Sequence, residues 1–229
     1  MPDVTLWRTM AITDRRRLDL SAGAGVDAVV ARLTAYATAM AAARVDVVQV
    51  REYDLPDGWL RRCVAAMRAA TRSSGLAVVV NDRAHVGVAG GAAGVHLRAS
   101  SMPARRVRAV VPPASIIGRS VHGDEALAPD EMEGVDYVLF GTVFESGSKA
   151  PGHQVAGLAA LARCCARVAR PVLAVGGVTA DNCRDVAARG ASGIAAIGVF
   201  AEAFRRGGSA LSDLVARVHE GLSKGEAPR

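Results

Sequence analysis

Short apolar runs rich in Val and Ile alternate along the chain with longer stretches whose apolar positions recur at helical spacing. The runs are "TLWRTMAIT", "VDVVQV", "LAVVV", "GVHL", "ASIIG", "DYVLFG", "PVLAVGG" and "GIAAIG", each short enough for a strand and most of them apolar throughout, the pattern of parallel strands covered on both faces. Helical periodicity predicts helices over 26–43, 57–74, 157–169 and 209–222. Eight strands with intervening helices predict a single-domain α/β fold, a (β/α)8 TIM barrel over residues 1–229, a fold whose usual size is about 250 residues. Residues 223–229 are expected to form a loose tail, and an open doubly wound sheet is the alternative. The segments "GVHLRASSMPARRVR" and "ASIIGRSVHGDEAL" leave little room between strands, so some helices should be short.

Composition narrows the picture without changing it. Hydrophobic residues are 51% of the chain and aromatics only 4%, so the core must be aliphatic. The formal charge is +6, but the arginines are scattered through Ala-rich helical stretches instead of forming one block. No nucleic-acid partner is expected, while a basic field suits small phosphorylated ligands. Of 28 basic residues only Lys149 and Lys224 are lysine, which makes Lys149, in a loop, either a chemical choice or chance. The four cysteines lack CxxC spacing, the first residues lack a signal-peptide pattern, and no run is long enough to span a membrane. A soluble cytoplasmic protein with no membrane association is expected.

In a barrel of this kind the chemistry sits where strands end and βα loops begin. Gly176 and Gly177 after the seventh strand and Ile197 and Gly198 after the eighth are expected to form a phosphate cradle, because glycines let backbone N–H groups approach an anion at a helix start. Gln49 and Arg51 share one side of the second strand by period-two alternation; Arg51 could bind substrate or form a structural ion pair. Asn81 and Asp82 could bind substrate or cap the next helix. His96 reads as a packed strand residue. His122 directly follows a strand, with Ser120 on the same side, and can both take and give a proton near neutral pH. The histidines and cysteines have no metal-ligand spacing, so no metal site is expected; a GxSxG elbow and a dinucleotide fingerprint are absent.

The ordered series "MAITD", "VQVRE", "VNDR", "GVHL", "GRSVH", "DYVLFGTVFESGSK", "PVLAVGGVT" and "GASGIAAIG" resembles the thiamine phosphate synthase and thiazole tautomerase (TenI) superfamily of small (β/α)8 barrels along nearly the whole chain. "GRSVH" and "DYVLFG" with "VFE" are similar to the tautomerase branch. That likeness implies a thiazole tautomerase that aromatises a thiazole carboxylate phosphate by a 1,3-proton shift, with His122 as acid and base and no cofactor. It further implies substrate contacts from Gln49, Arg51, Asn81, Ser120, Ser146 and Lys149, phosphate contacts from Gly176, Gly177, Ile197 and Gly198, and a homodimer. The alternative within the superfamily is the synthase, an Mg²⁺-dependent transferase joining a pyrimidine diphosphate to a thiazole phosphate. Its pattern has a Lys two residues after the Arg of the second-strand motif and an Asp shortly after "GVHL" that joins the Asp of "NDR" at the metal. Here Tyr53 and Ser101 stand in those places, which leaves open whether Asp82 holds a metal. A second alternative is a non-catalytic phosphate-ligand sensor or regulator.

Overall fold

The computed structural model describes residues 3–21, 23–123, 128–145 and 155–225. Eight parallel strands close into a barrel in chain order, β1 (Thr9–Ile12), β2 (Val47–Val50), β3 (Ala77–Asn81), β4 (Gly94–Leu97), β5 (Ile116–Val121), β6 (Tyr137–Phe140), β7 (Val172–Val175) and β8 (Gly193–Ala196), with β8 pairing back onto β1. Helices α1 (Val26–Ala42), α2 (Asp57–Ala70), α3 (Ala84–Gly90), α4 (Ala104–Arg108), α5 (Pro129–Met132), α6 (Gly157–Arg167), α7 (Cys183–Ala187) and α8 (Gly198–Arg206) follow the strands in turn, and α9 (Gly208–Gly225) ends the described chain. The fold is the single-domain barrel that the alternation implies. The crowded connections carry the short helices expected of them, with five residues in α4 and four in α5.

Both strand faces are buried, and alternation sorts them into two cores. Met10, Ile12, Val47, Val79, Ile116, Leu139 and Leu173 point into the barrel above Trp7. Val48, Val50, Val78 and Val80 pack outward beneath α1 and α2, and Val95, Ile117, Val138 and Phe140 beneath the helices of the other half. Small side chains such as Ala77 and Ala195 let the larger ones interdigitate inside. Removing an interior leucine such as Leu173, which is fully buried, would cost about 2–5 kcal/mol.

Local chemistry shifts several boundaries from the sequence expectation. The first apolar run is a strand only from Thr9; Val4–Leu6 is a 3-10 turn because the Asp3 carboxylate accepts the N–H of Thr5. Helix α2 stops at Ala70, four residues early, where the Thr71 hydroxyl donates to the carbonyl of Met67. Helix α9 runs through Gly225, past the point where a loose tail was expected, because Leu211, Val215, Val218 and Leu222 at helical spacing are buried. Among the described residues no helix is long and apolar enough to cross a membrane.

Candidate functional site

The inward residues at the C-terminal strand ends run out of aliphatic filling and leave a cavity of about 670 Å³. Period two carries each strand's inward set into it: Gln49 and Arg51 from β2, Asn81 from β3, His96 from β4, Ser120 and His122 from β5, and Leu139 and Gly141 from β6. The wall is completed by Val175, Gly176 and Gly177 after β7 and by Ala196, Ile197 and Gly198 after β8. The structure therefore brings together nine of the residues singled out in the sequence: Gln49, Arg51, Asn81, Ser120, His122, Gly176, Gly177, Ile197 and Gly198. Ser146 and Lys149 lie outside the described residues.

At the floor, the Gln49 side-chain amide donates to Asn81 Oδ1 at 2.8 Å. The other halves of the two amides, Gln49 Oε1 and Asn81 Nδ2, are buried and without a hydrogen-bond partner, in side chains only 2% and 6% exposed. Rotating both amides by 180° exchanges the roles and still leaves one donor and one acceptor over. A buried unmade hydrogen bond costs about 1–3 kcal/mol, so these two unmatched groups, in side chains that line the cavity, are the part of its wall that still calls for a partner. Asn81 lines the cavity and does not cap α3; nor does Asp82, since Arg83 is the cap position and no side chain caps it.

The glycine wall has the geometry of a backbone cradle. Gly176 and Gly177 adopt φ of 92° and 65°, a left-handed pair, and a Cβ on Gly177 would lie 2.3 Å from the carbonyl oxygen of Glu145. The turn is tied from below: Asn182 donates to the Gly177 carbonyl at 3.0 Å and accepts from the Thr179 N–H at 2.8 Å. Beside it, α8 begins at Gly198 with no side chain capping it, so its first N–H groups and its dipole are available to an anion.

The rim across from the glycines is cationic. The Arg51 guanidinium lies 4.3 Å from the centre of the half-exposed Tyr53 ring, and that of Arg98 lies 5.8 Å from it. Among the described residues lining the cavity, Glu145 is the sole acid. His122 is exposed at the cavity edge. Its Nδ1 contacts the carbonyl of Gly141, and because a carbonyl only accepts, that nitrogen carries the hydrogen and Nε2 is the one left for a ligand.

Magnesium was the one metal that the resemblance raised, and among the described residues the carboxylate it implicates, Asp82, is already engaged. Asp82 Oδ1 accepts from the Ser101 hydroxyl, and its second oxygen is paired with Arg98 Nε. Mg²⁺ is usually held by one or two carboxylates together with substrate phosphates; here one carboxylate is already neutralised by a guanidinium and capped by a hydroxyl. Among the described residues no group of three or more His, Cys, Asp or Glu side chains could hold a metal ion.

Sequence reasoning missed two parts of the site. His96 was expected only to be packed, yet it lines the cavity while fully buried beneath it; its inward register, two residues past Gly94 on β4, was the available signal. The Arg51, Tyr53 and Arg98 stack joins two loops, and no local pattern announces it.

Comparison with known proteins gives a consistent family. The family described as Thiamine monophosphate synthase matches residues 22–200. A thiamine-phosphate synthase from Methanoculleus marisnigri is 43% identical over 157 residues, 69% of this chain and 74% of the relative. Another, from Methanocella arvoryzae, is 40% identical over 68% of this chain and 74% of its own. A solved structure, the thiamine phosphate pyrophosphorylase from Pyrococcus furiosus, superposes with a TM-score of 0.78 at 29% identity, covering 96% of this chain and 98% of that one.

These relatives overturn the expectation of a thiazole tautomerase, since they are named as synthases, and with it the expectation of an isomerase. The stretch "GRSVH", which suggested the tautomerase, has a packing explanation independent of any one reaction. Gly118 faces the Tyr137 ring, Arg119 is buried against Glu131 and two backbone carbonyls, and Ser120 meets His96. Barrel fold, family match and relatives at 43% and 40% identity agree: the chain belongs to the thiamine monophosphate synthase family.

Proposed function

We propose that the protein is a thiamine-phosphate synthase, transferring a pyrimidine group from its diphosphate ester to a thiazole phosphate. The observation that carries this reading is the leftover donor and acceptor of Asn81 and Gln49 on the cavity floor. An aminopyrimidine edge, a ring nitrogen beside an amino group, presents the complementary acceptor and donor. A thiazole phosphate would rest its phosphate on the Gly176, Gly177 and Gly198 turns. The diphosphate would then lie toward Arg51 and Arg98, whose planar guanidinium groups suit phosphoryl oxygens.

In the transfer, the thiazole ring nitrogen bonds to the pyrimidine methylene carbon as the bond from that carbon to the diphosphate oxygen breaks. The electron pair leaves with the diphosphate, and one diphosphate is released per product. Gln49 and Asn81 orient the pyrimidine, the glycine cradle orients the thiazole, and the arginines stabilise the charge that gathers on the leaving group. No step is assigned to a metal, because Asp82 is committed to Arg98 and Ser101.

The test is to incubate the purified protein with the pyrimidine diphosphate and the thiazole phosphate and to quantify thiamine phosphate and diphosphate, with and without a chelator. Equal amounts of both products, formed at a rate that a chelator changes less than about twofold, are expected. No product at high protein concentration would refute the reading, and complete loss in chelator would return a metal to the mechanism.

A further inference from the structure

Below the cavity floor, three side chains from three strands form a line of hydrogen bonds that the proposed transfer does not itself require. Tyr137 on β6 places its hydroxyl 3.0 Å from His96 Nδ1 on β4, and His96 Nε2 lies 2.8 Å from Ser120 Oγ on β5. Tyr137 and His96 are buried, whereas Ser120 is half-buried and lines the cavity. The Tyr137 ring is held edge-on by Trp7, with centroids 5.1 Å apart. It also fills the space above Gly118, where a Cβ would lie 2.0 Å from its ring. The phenol cannot swing to another partner.

Hydrogen-bond bookkeeping along this line has one favourable solution. A buried phenol must donate its proton or leave it unmet, and among the described residues the Tyr137 hydroxyl has His96 Nδ1 as its partner. Nδ1 is then an acceptor, so the neutral imidazole carries its hydrogen on Nε2 and donates it to Ser120 Oγ. With that lone pair occupied from below, the Ser120 proton is free to point up into the cavity. We infer that Tyr137 is a positioning residue: it locks His96 in the Nε2–H tautomer and thereby commits Ser120 to donate a hydrogen bond to an acceptor atom of the bound ligand, such as a phosphoryl oxygen or a ring nitrogen. Burial supports the scheme by holding the imidazole neutral, its pKa lowered from 6.5 to about 3, and by raising that of the phenol so that it keeps its proton.

The tautomer can be read without any ligand or activity. Nitrogen-15 NMR of the full-length protein labelled at histidine should show His96 as the neutral Nε2–H form throughout pH 5 to 9; an Nδ1–H form, or a titration in that range, would overturn the inference. The kinetic arm alone rests on the synthase reading. Ser120→Ala and Tyr137→Phe should each lower kcat/KM by about tenfold, and the double variant should be little worse than either, because both remove one donated hydrogen bond. Multiplying losses would contradict the coupling. Should Tyr137→Phe not fold, the wild-type spectrum still decides. A chain with the Nε2–H form but no synthase activity would refute the proposed function and leave this inference standing.

Discussion

The two ends of the barrel treat their polar groups in opposite ways. At the N-terminal end two acids each gather several donors on one carboxylate oxygen. Asp46, just before β2, accepts from the N–H groups of Arg8 and Thr9 at 2.9 and 2.8 Å and from the Thr9 hydroxyl at 2.9 Å. Asp136, just before β6, accepts from the Ile117 N–H at 2.7 Å and from Arg108 at 2.6 Å. At the C-terminal end, Gln49 and Asn81 are buried with half of each amide unmatched. The same chemistry that fastens strands together at one end is left open at the other, which is the division between stability and function expected of this fold.

The largest effect that would sharpen this contrast belongs to Gln49. Replacing it by Leu removes one orphaned acceptor but leaves Asn81 Oδ1 without its donor, so the number of unmatched buried groups stays the same; kcat/KM for the transfer should fall on the order of 10²- to 10³-fold, with stability lowered by no more than about 1–3 kcal/mol, because a site built to hydrogen-bond its ligand loses most when that bond is removed. A melting temperature that collapsed together with activity would make the mouth merely structural.

Asp46→Ala should do the reverse. Urea unfolding should show a loss of about 2 kcal/mol, while activity per folded molecule stays at the wild-type level. The next effect is at the cradle: Gly177→Ala adds a Cβ at a φ of 65° and against the Glu145 carbonyl, and should raise KM for the thiazole phosphate about tenfold. Steady-state kinetics with each substrate varied in turn checks whether the effect is confined to that ligand.

A pH-dependent effect lies between the two ends, at His96. Its folded-state pKa is lowered by burial below the unfolded value, so between about pH 6.5 and 3 the unfolded chain binds the extra proton. Its contribution to stability is whole above that window and drains away as pH falls through it, at up to about 1.4 kcal/mol per pH unit. His96→Gln should flatten this slope in unfolding curves recorded from pH 7 to pH 4. An unchanged slope would assign the acid sensitivity to other groups.

Much of this contrast was legible in the chain and part was not, for physical reasons. Alternation within a strand is local, so Gln49 with Arg51 and Ser120 with His122 could be placed on the inward face from the apolar runs alone. Glycine pairs at strand ends likewise marked the left-handed turn that Gly176 and Gly177 form on the cavity wall. The pairing of Gln49 with Asn81 depends on how β2 and β3 are staggered when the barrel closes, with Gln49 opposite Val79 and Asn81 opposite His96. Nothing within either strand fixes that stagger. The line from Tyr137 through His96 to Ser120 spans three strands and 41 residues, and the Arg98 hold on Asp82 joins two loops. The wording of "GRSVH" misled because its residues answer to neighbours on β4 and β6 as much as to a reaction.

The most direct test of the open amides is calorimetric titration of the wild type and of Gln49→Leu with two ligands, the aminopyrimidine alcohol and the thiazole phosphate. Affinity for the pyrimidine should fall by about 100-fold or more in the variant while affinity for the thiazole phosphate stays within about twofold. Equal pyrimidine affinity in the two proteins would contradict the account, because the unmatched groups on the floor would then be reading something else.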